Sequence, residues 1–195
     1  MVKLPNKLTL ARIGLSPVFI LLFFLGEIAP GAAVAGKAGA LAVAVLFEVT
    51  DVLDGYLARS RGMVTELGKY LDPLADSLSR FTVFLCFLAT GLIPIWMVAV
   101  LFYRDSIVAS LRIAAASQNV IIAARASGKI KAVVQGAVIL GLLVLDLVLA
   151  LVSGKPPVTL ETAAFWSVLV VTVVTGLSGV DYVAGNWRII RSLNA

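Results

Sequence analysis

Apolar residues run along this chain in long blocks, separated by short breaks that are polar or rich in Gly and Pro. The opening MVKLPNKLTLARIGLSP is polar and basic and feeds the apolar run Ile13 to Leu25, the first predicted span. A Gly/Pro/Ala turn covers Gly26 to Gly36, and a second span begins at Ala38. Its purely apolar part ends at Phe47, ten residues that are too few to cross about 30 Å of hydrocarbon. The helix must therefore continue through Glu48, Asp51 and Asp54. A connector from Arg59 to Lys69 leads to a third helix starting near Leu71, apolar from Phe81 through Leu92. Pro94 breaks that run, and a fourth helix takes Ile95 to about Gln118. The polar stretch ARASGKIKAVVQ precedes a fifth span over Ala132 to Val152, and after the SGKPP turn a sixth runs from Ala163 to Val180. The expected fold is all-α: one membrane domain over residues 1–195 with six transmembrane helices and a juxtamembrane segment at 1–8.

Composition agrees with that pattern. The chain is 61% hydrophobic and 14% charged with a mean hydropathy of +1.04, against a usual charged share of about 25% in soluble domains. There is no histidine, and the lone cysteine, Cys86, lies inside an apolar run. An intrachain disulfide, a zinc site and histidine-based catalysis are thereby excluded, so carboxylates must do any acid–base work.

Charge sets the expected orientation. Of sixteen Lys and Arg, only Lys37 and Lys155 fall on the side away from the acids that follow Phe47. The positive-inside rule then puts both termini, Arg59 and the stretch from Arg125 to Lys131 in the cytoplasm, with the acids at the cytoplasmic face of the cell membrane. The net charge of +5 is spread over breaks between apolar spans rather than along one soluble face, which argues against nucleic acid. A cleaved leader is a rival reading of the basic start and the small residues of APGAAVAG, and cleavage would discard Asn6, Thr9 and Arg12.

The chemistry concentrates between residues 51 and 76, in Asp51-x2-Asp54-Gly55-x2-Ala58-Arg59-x8-Gly68-x3-Asp72-x3-Asp76. Helical residues three or four apart share a face, so Asp51 projects with Asp54 and Asp72 with Asp76. Two such helices packed together would gather four carboxylates, an arrangement that is costly unless a cation resolves it. Oxygen donors without histidine or cysteine suit Mg²⁺ or Mn²⁺. Gly55, Ala58 and Gly68 leave room for close approach of a helix or a flat ligand.

This pattern resembles the signature of the CDP-alcohol phosphotransferases, membrane enzymes that displace CMP from a CDP-linked lipid or alcohol, and all eight of its fixed positions are filled. The resemblance implies two divalent ions, one on Asp51, Asp54 and Asp72 and the other on Asp51, Asp72 and Asp76, with Asp76 as the base. It also implies that Gly55, Ala58 and Gly68 accommodate the cytidine and that Arg59 lies near its phosphates. LPNKLTLARIGLSP resembles the opening of the phosphatidylglycerophosphate synthases of that family, which implicates Asn6, Thr9 and Arg12 in the CDP-lipid site. For Arg12 the alternative is snorkelling to headgroups. RDSIVASLR and ASGKIKAVVQ resemble the part of those synthases that faces the phosphate of glycerol 3-phosphate, here Arg104, Arg112, Lys129 and Lys131; these cations could instead fix topology.

The implied reaction moves a phosphatidyl group from CDP-diacylglycerol to glycerol 3-phosphate in phospholipid synthesis. The resemblance further suggests a homodimer, for which the apolar hairpin Phe81 to Tyr103 is a plausible surface. One departure stands out: Ser77 occupies a position where many of these synthases carry Lys. A sister enzyme using inositol phosphate, serine or a lipid as acceptor therefore stays open, with a divalent-metal carrier as a more distant alternative. Glu48, one turn before Asp51, is either a support for the acids or a polar neighbour. Asp146, alone in the fifth span, fits an interhelical hydrogen bond or an interfacial position better than a functional site.

Overall fold

The computed structural model describes residues 4–60, 66–118, 120, 122, 125–152 and 159–192. Among them every regular element is helical: α1 (Leu4–Phe23), α2 (Leu25–Ile28), a 3₁₀ turn at Pro30–Ala32, α3 (Ala33–Ser60), α4 (Glu66–Ala89), α5 (Ile95–Ser117), α6 (Ala126–Leu151), α7 (Leu160–Gly185) and α8 (Trp187–Ser192). The all-α expectation holds. Three stretches, Pro30–Leu53, Ala126–Leu151 and Leu160–Gly185, are long and apolar enough to cross a membrane, and Thr9–Phe23 is a shorter apolar helix. The SGKPP turn with Lys155, and Arg61 of the connector, lie outside the described residues.

Several boundaries differ from those expected. The Gly26 to Gly36 break holds α2, the 3₁₀ turn and the start of α3. Helix α4 begins at Glu66, which takes Gly68 and Lys69 into the helix, while Arg59 belongs to α3. Helix α6 begins at Ala126 rather than Ala132, so Lys129 and Lys131 are helical. The cause is the same in each case: apolarity marks where a helix meets lipid, whereas the backbone continues wherever its hydrogen bonds can be made. At the α4–α5 turn, Gly91 adopts φ +74°, a conformation glycine takes without penalty, and Pro94 caps the start of α5.

Helix α1 packs on α3 and α4, α6 on α3 and α7, and α5 on α4 and α7. Gly36 allows the α1–α3 approach, because a Cβ there would lie 2.6 Å from the Leu22 carbonyl oxygen. The core contains Phe19, Phe47, Phe84, Phe87, Met97 and Leu101, with Phe19 stacked on Phe23 at 5.8 Å between ring centres. A smaller cluster of Val108, Ala115, Ile122 and Tyr182 lies near the other end of α5. Large apolar side chains such as Leu21, Ile95, Val133 and Val180 face outwards, as a lipid-facing surface requires.

Between α3 and α6, Lys37 Nζ donates to Asp146 Oδ1. Asp146 thus has the interhelical partner expected of it.

Candidate active site

Most of the polar side chains of the interior come from the first half of α1, the later half of α3, the middle of α4 and α5, the first turns of α6 and the middle and last turns of α7. Beyond Phe47, the last large apolar core residue among the described side chains of α3, the interior turns from aromatic to charged.

Arg12, on α1, is only 1% exposed, and its Nη1 lies 3.0 Å from Asp51 Oδ1 on α3. Its side chain is enclosed by protein. It is bonded to the first acid of the motif, and Thr9, one turn earlier, is buried beside it. A charge this deep requires a partner, since an isolated one would cost several kcal/mol.

The second centre is Arg80, on α4. Its Nε lies 2.9 Å from Asp76 Oδ1, one helical turn back, and its Nη2 lies 3.6 Å from Glu48 Oε2 on α3. Nη1 donates to the Ala132 carbonyl of α6 at 2.6 Å and lies 3.4 Å from Gln135 Oε1. Gln135 Nε2 in turn donates to Thr175 Oγ1 of α7 at 3.3 Å. Glu48 and Asp76 thus share one guanidinium. Gly136 makes room for Glu48, because a Cβ there would meet its carboxylate at 2.8 Å.

A third group adjoins this one. Asp105 of α5 accepts from Lys131 Nζ and, at 2.9 Å, from Arg104 Nη1, while Arg104 Nε donates to Ser178 Oγ at 3.0 Å. Two of the four predicted acceptor cations, Arg104 and Lys131, thus meet on one carboxylate. The other two stand apart: Arg112 lies over the Tyr182 ring, 5.7 Å from its centre, and Lys129 is exposed. At the same end, Arg125 holds Asp181 through two hydrogen bonds of 2.7 and 2.8 Å, and Ser127 donates to the same carboxylate. The hydrogen bond to Asp181 raises the Arg125 pKa above its ordinary value, so this cation stays charged.

Asn6 belongs to α1, Asp54, Gly55, Ala58 and Arg59 to α3, and Gly68 and Asp72 to α4. Their side chains lie outside those described. Among the described side chains no three metal-donor groups converge, and of the four predicted metal ligands Asp51 and Asp76 alone belong to that set. The helical spacing of the motif is observed, with Asp51 and Asp54 on one helix and Asp72 and Asp76 on the next. Sequence reasoning missed Arg80 and Gln135. The signal for Arg80 was available, since a cation four residues after Asp76 in an apolar frame shares its face.

Residues 2–176 match the family described as CDP-alcohol phosphatidyltransferase. The chain belongs to that family. A CDP-diacylglycerol–glycerol-3-phosphate 3-phosphatidyltransferase from Bacillus subtilis is 37% identical over 201 residues, covering 100% of both chains. A Mycobacterium tuberculosis protein named as a probable phosphatidylglycerophosphate synthase is 36% identical over 190 residues, covering 97% of this chain and 84% of its own. A CDP-diacylglycerol–glycerol-3-phosphate 3-phosphatidyltransferase from Treponema pallidum is 32% identical over 157 residues, covering 71% and 73%.

CDP-alcohol phosphatidyltransferases generally depend on a divalent metal. The two predicted ligands among the described side chains, Asp51 and Asp76, are oxygen donors in a chain with no histidine, which suits a hard ion.

Proposed function

We propose that the protein transfers the phosphatidyl group of CDP-diacylglycerol to sn-glycerol 3-phosphate, giving phosphatidylglycerophosphate and CMP in phospholipid synthesis. The observation that carries this reading is the likeness to the Bacillus subtilis transferase over the whole of both chains. In this reading residues 1–195 form one membrane domain of six spans, α1 and α3 to α7, in the cell membrane with the acids at the cytoplasmic face. The protein is a homodimer whose α4–α5 surface, with Phe81 and Phe102 lining an apolar groove, meets its copy.

Asp51, Asp54, Asp72 and Asp76 hold two ions, Mg²⁺ or Mn²⁺. When bound, these supply charge neutralisation at the pyrophosphate and at the departing CMP oxygen. Asn6, Thr9, Gly55, Ala58, Arg59 and Gly68 receive the CDP-lipid, and the acyl chains stay in the bilayer. Arg104, Arg112, Lys129 and Lys131 attract the acceptor phosphate, and Asp105 keeps Arg104 and Lys131 together before it arrives. Asp76 accepts the proton of the attacking hydroxyl as the new oxygen–phosphorus bond forms at the β-phosphorus and the bond to CMP breaks. The charge balances without a covalent enzyme intermediate.

The test is CMP release by purified protein from CDP-diacylglycerol with Mg²⁺ or Mn²⁺, offering glycerol 3-phosphate, inositol phosphate, serine and a lipid alcohol in parallel. Turnover with glycerol 3-phosphate alone is expected. Turnover with a different acceptor would replace the acceptor assignment, and metal-dependent uptake into vesicles without CMP release would replace the enzyme by a carrier.

A further inference from the structure

We propose that Arg80 is a positioning residue that sets the Asp76 carboxylate at a fixed separation from the acceptor cations of α6. The proposal rests on the reading of Asp76 as the base and of Lys131 as an acceptor-site cation.

The geometry points to it in three ways. Arg80 is 8% exposed, so its guanidinium is held by protein partners rather than by water. Its nitrogens face different helices: Nε meets Asp76 at 2.9 Å, Nη2 faces Glu48 at 3.6 Å, and Nη1 bonds the Ala132 carbonyl at 2.6 Å. Ala132 directly follows Lys131, whose Nζ bonds Asp105 beside Arg104. One rigid planar group thus spans from the proton-accepting carboxylate to the main chain that carries an acceptor cation. Gln135 braces the same guanidinium and is itself tied to Thr175 of α7.

Charge compensation of these partly exposed acids would not require this arrangement. An ammonium could neutralise Asp76 or Glu48 equally well, but it has no fork with which to hold a carboxylate and a distant carbonyl at set angles. What the guanidinium adds is distance control, and a displacement of about 1 Å at a reacting group can cost about 100-fold in rate.

Arg80→Lys separates the two roles, because it keeps the charge and loses the fork. CMP release is measured with whichever acceptor the wild-type protein uses, so that a wrong acceptor assignment is not read as a wrong role for Arg80. Mn²⁺ binding to the same samples is followed by electron paramagnetic resonance. In Arg80→Lys, kcat is expected to fall about 10- to 100-fold with a raised acceptor KM, while the CDP-diacylglycerol KM and Mn²⁺ affinity stay at wild-type values. Arg80→Met loses more activity than Arg80→Lys. Wild-type kcat and acceptor KM in Arg80→Lys would reduce Arg80 to a counter-charge and overturn the proposal. A loss of Mn²⁺ affinity in Arg80→Lys that parallels the loss of rate would overturn it too, since the acids themselves would then have lost their arrangement.

Discussion

Both ends of this bundle hold an ion pair between α1, α3 or α6, but they use charge differently. At one end Lys37 meets Asp146, one cation with one carboxylate. At the other end the described acids Glu48, Asp51 and Asp76 face Arg12 and Arg80. The Lys37–Asp146 pair joins two helices and goes no further, whereas Arg12 joins α1 to α3 and Arg80 joins α4 to both α3 and α6, so the arginines connect the helices that carry the acids.

The sharpest way to break this comparison is Asp76→Asn. With the proposed base converted to an amide, CMP release should fall by about 10²- to 10⁴-fold with the fold retained. A variant with near-normal turnover would remove Asp76 from the proton transfer.

Arg12→Met asks whether Asp51 depends on its arginine alone. Arg12 is buried but Asp51 is 40% exposed and can be hydrated once the arginine is gone, so the loss should be about 1–3 kcal/mol, seen in the apparent Tm in detergent. Saturating Mn²⁺ should recover part of it, because an ion can take over the uncompensated Asp51. Equal losses with and without Mn²⁺ would show that Asp51 and the ion do not meet.

Gly136→Ala acts more gently. Its methyl would enter the space of the Glu48 carboxylate and displace it from Arg80, and a shift of this kind should lower kcat by about 10-fold. No change in rate would mean that Glu48 can move without disturbing Asp76.

Lys37→Met gives the smallest effect. The Lys37–Asp146 pair is partly exposed, so its loss should cost about 1 kcal/mol in stability, and CMP release should be unchanged. A fall in activity would show that the two ends are coupled through α3 or α6.

How far the sequence could be read follows the range of the interactions. The helices and the faces of the acid pairs were legible because apolar runs and three- or four-residue spacing are local properties. Arg12 was legible as a candidate because an arginine in an apolar frame is expensive, but its partner Asp51 is 39 residues away. Helix α6 was begun too late because Lys131 and Gln135 read as a polar break, although both are buried in the bundle. Arg80 was passed over for a related reason: its bonds to Ala132 and Gln135 span 52 and 55 residues.

Composition and spacing alone thus settled the helical class, the membrane character, the absence of histidine chemistry and the family signature, since each depends on residue identity along a short length of chain. Which cation meets which carboxylate came only with packing. Arg104 and Lys131 share Asp105 while Arg112 lies on Tyr182, and Glu48 reaches Arg80 where Gly136 leaves space. Those pairings depend on helix register and approach distance between segments far apart in the chain, which no local pattern encodes.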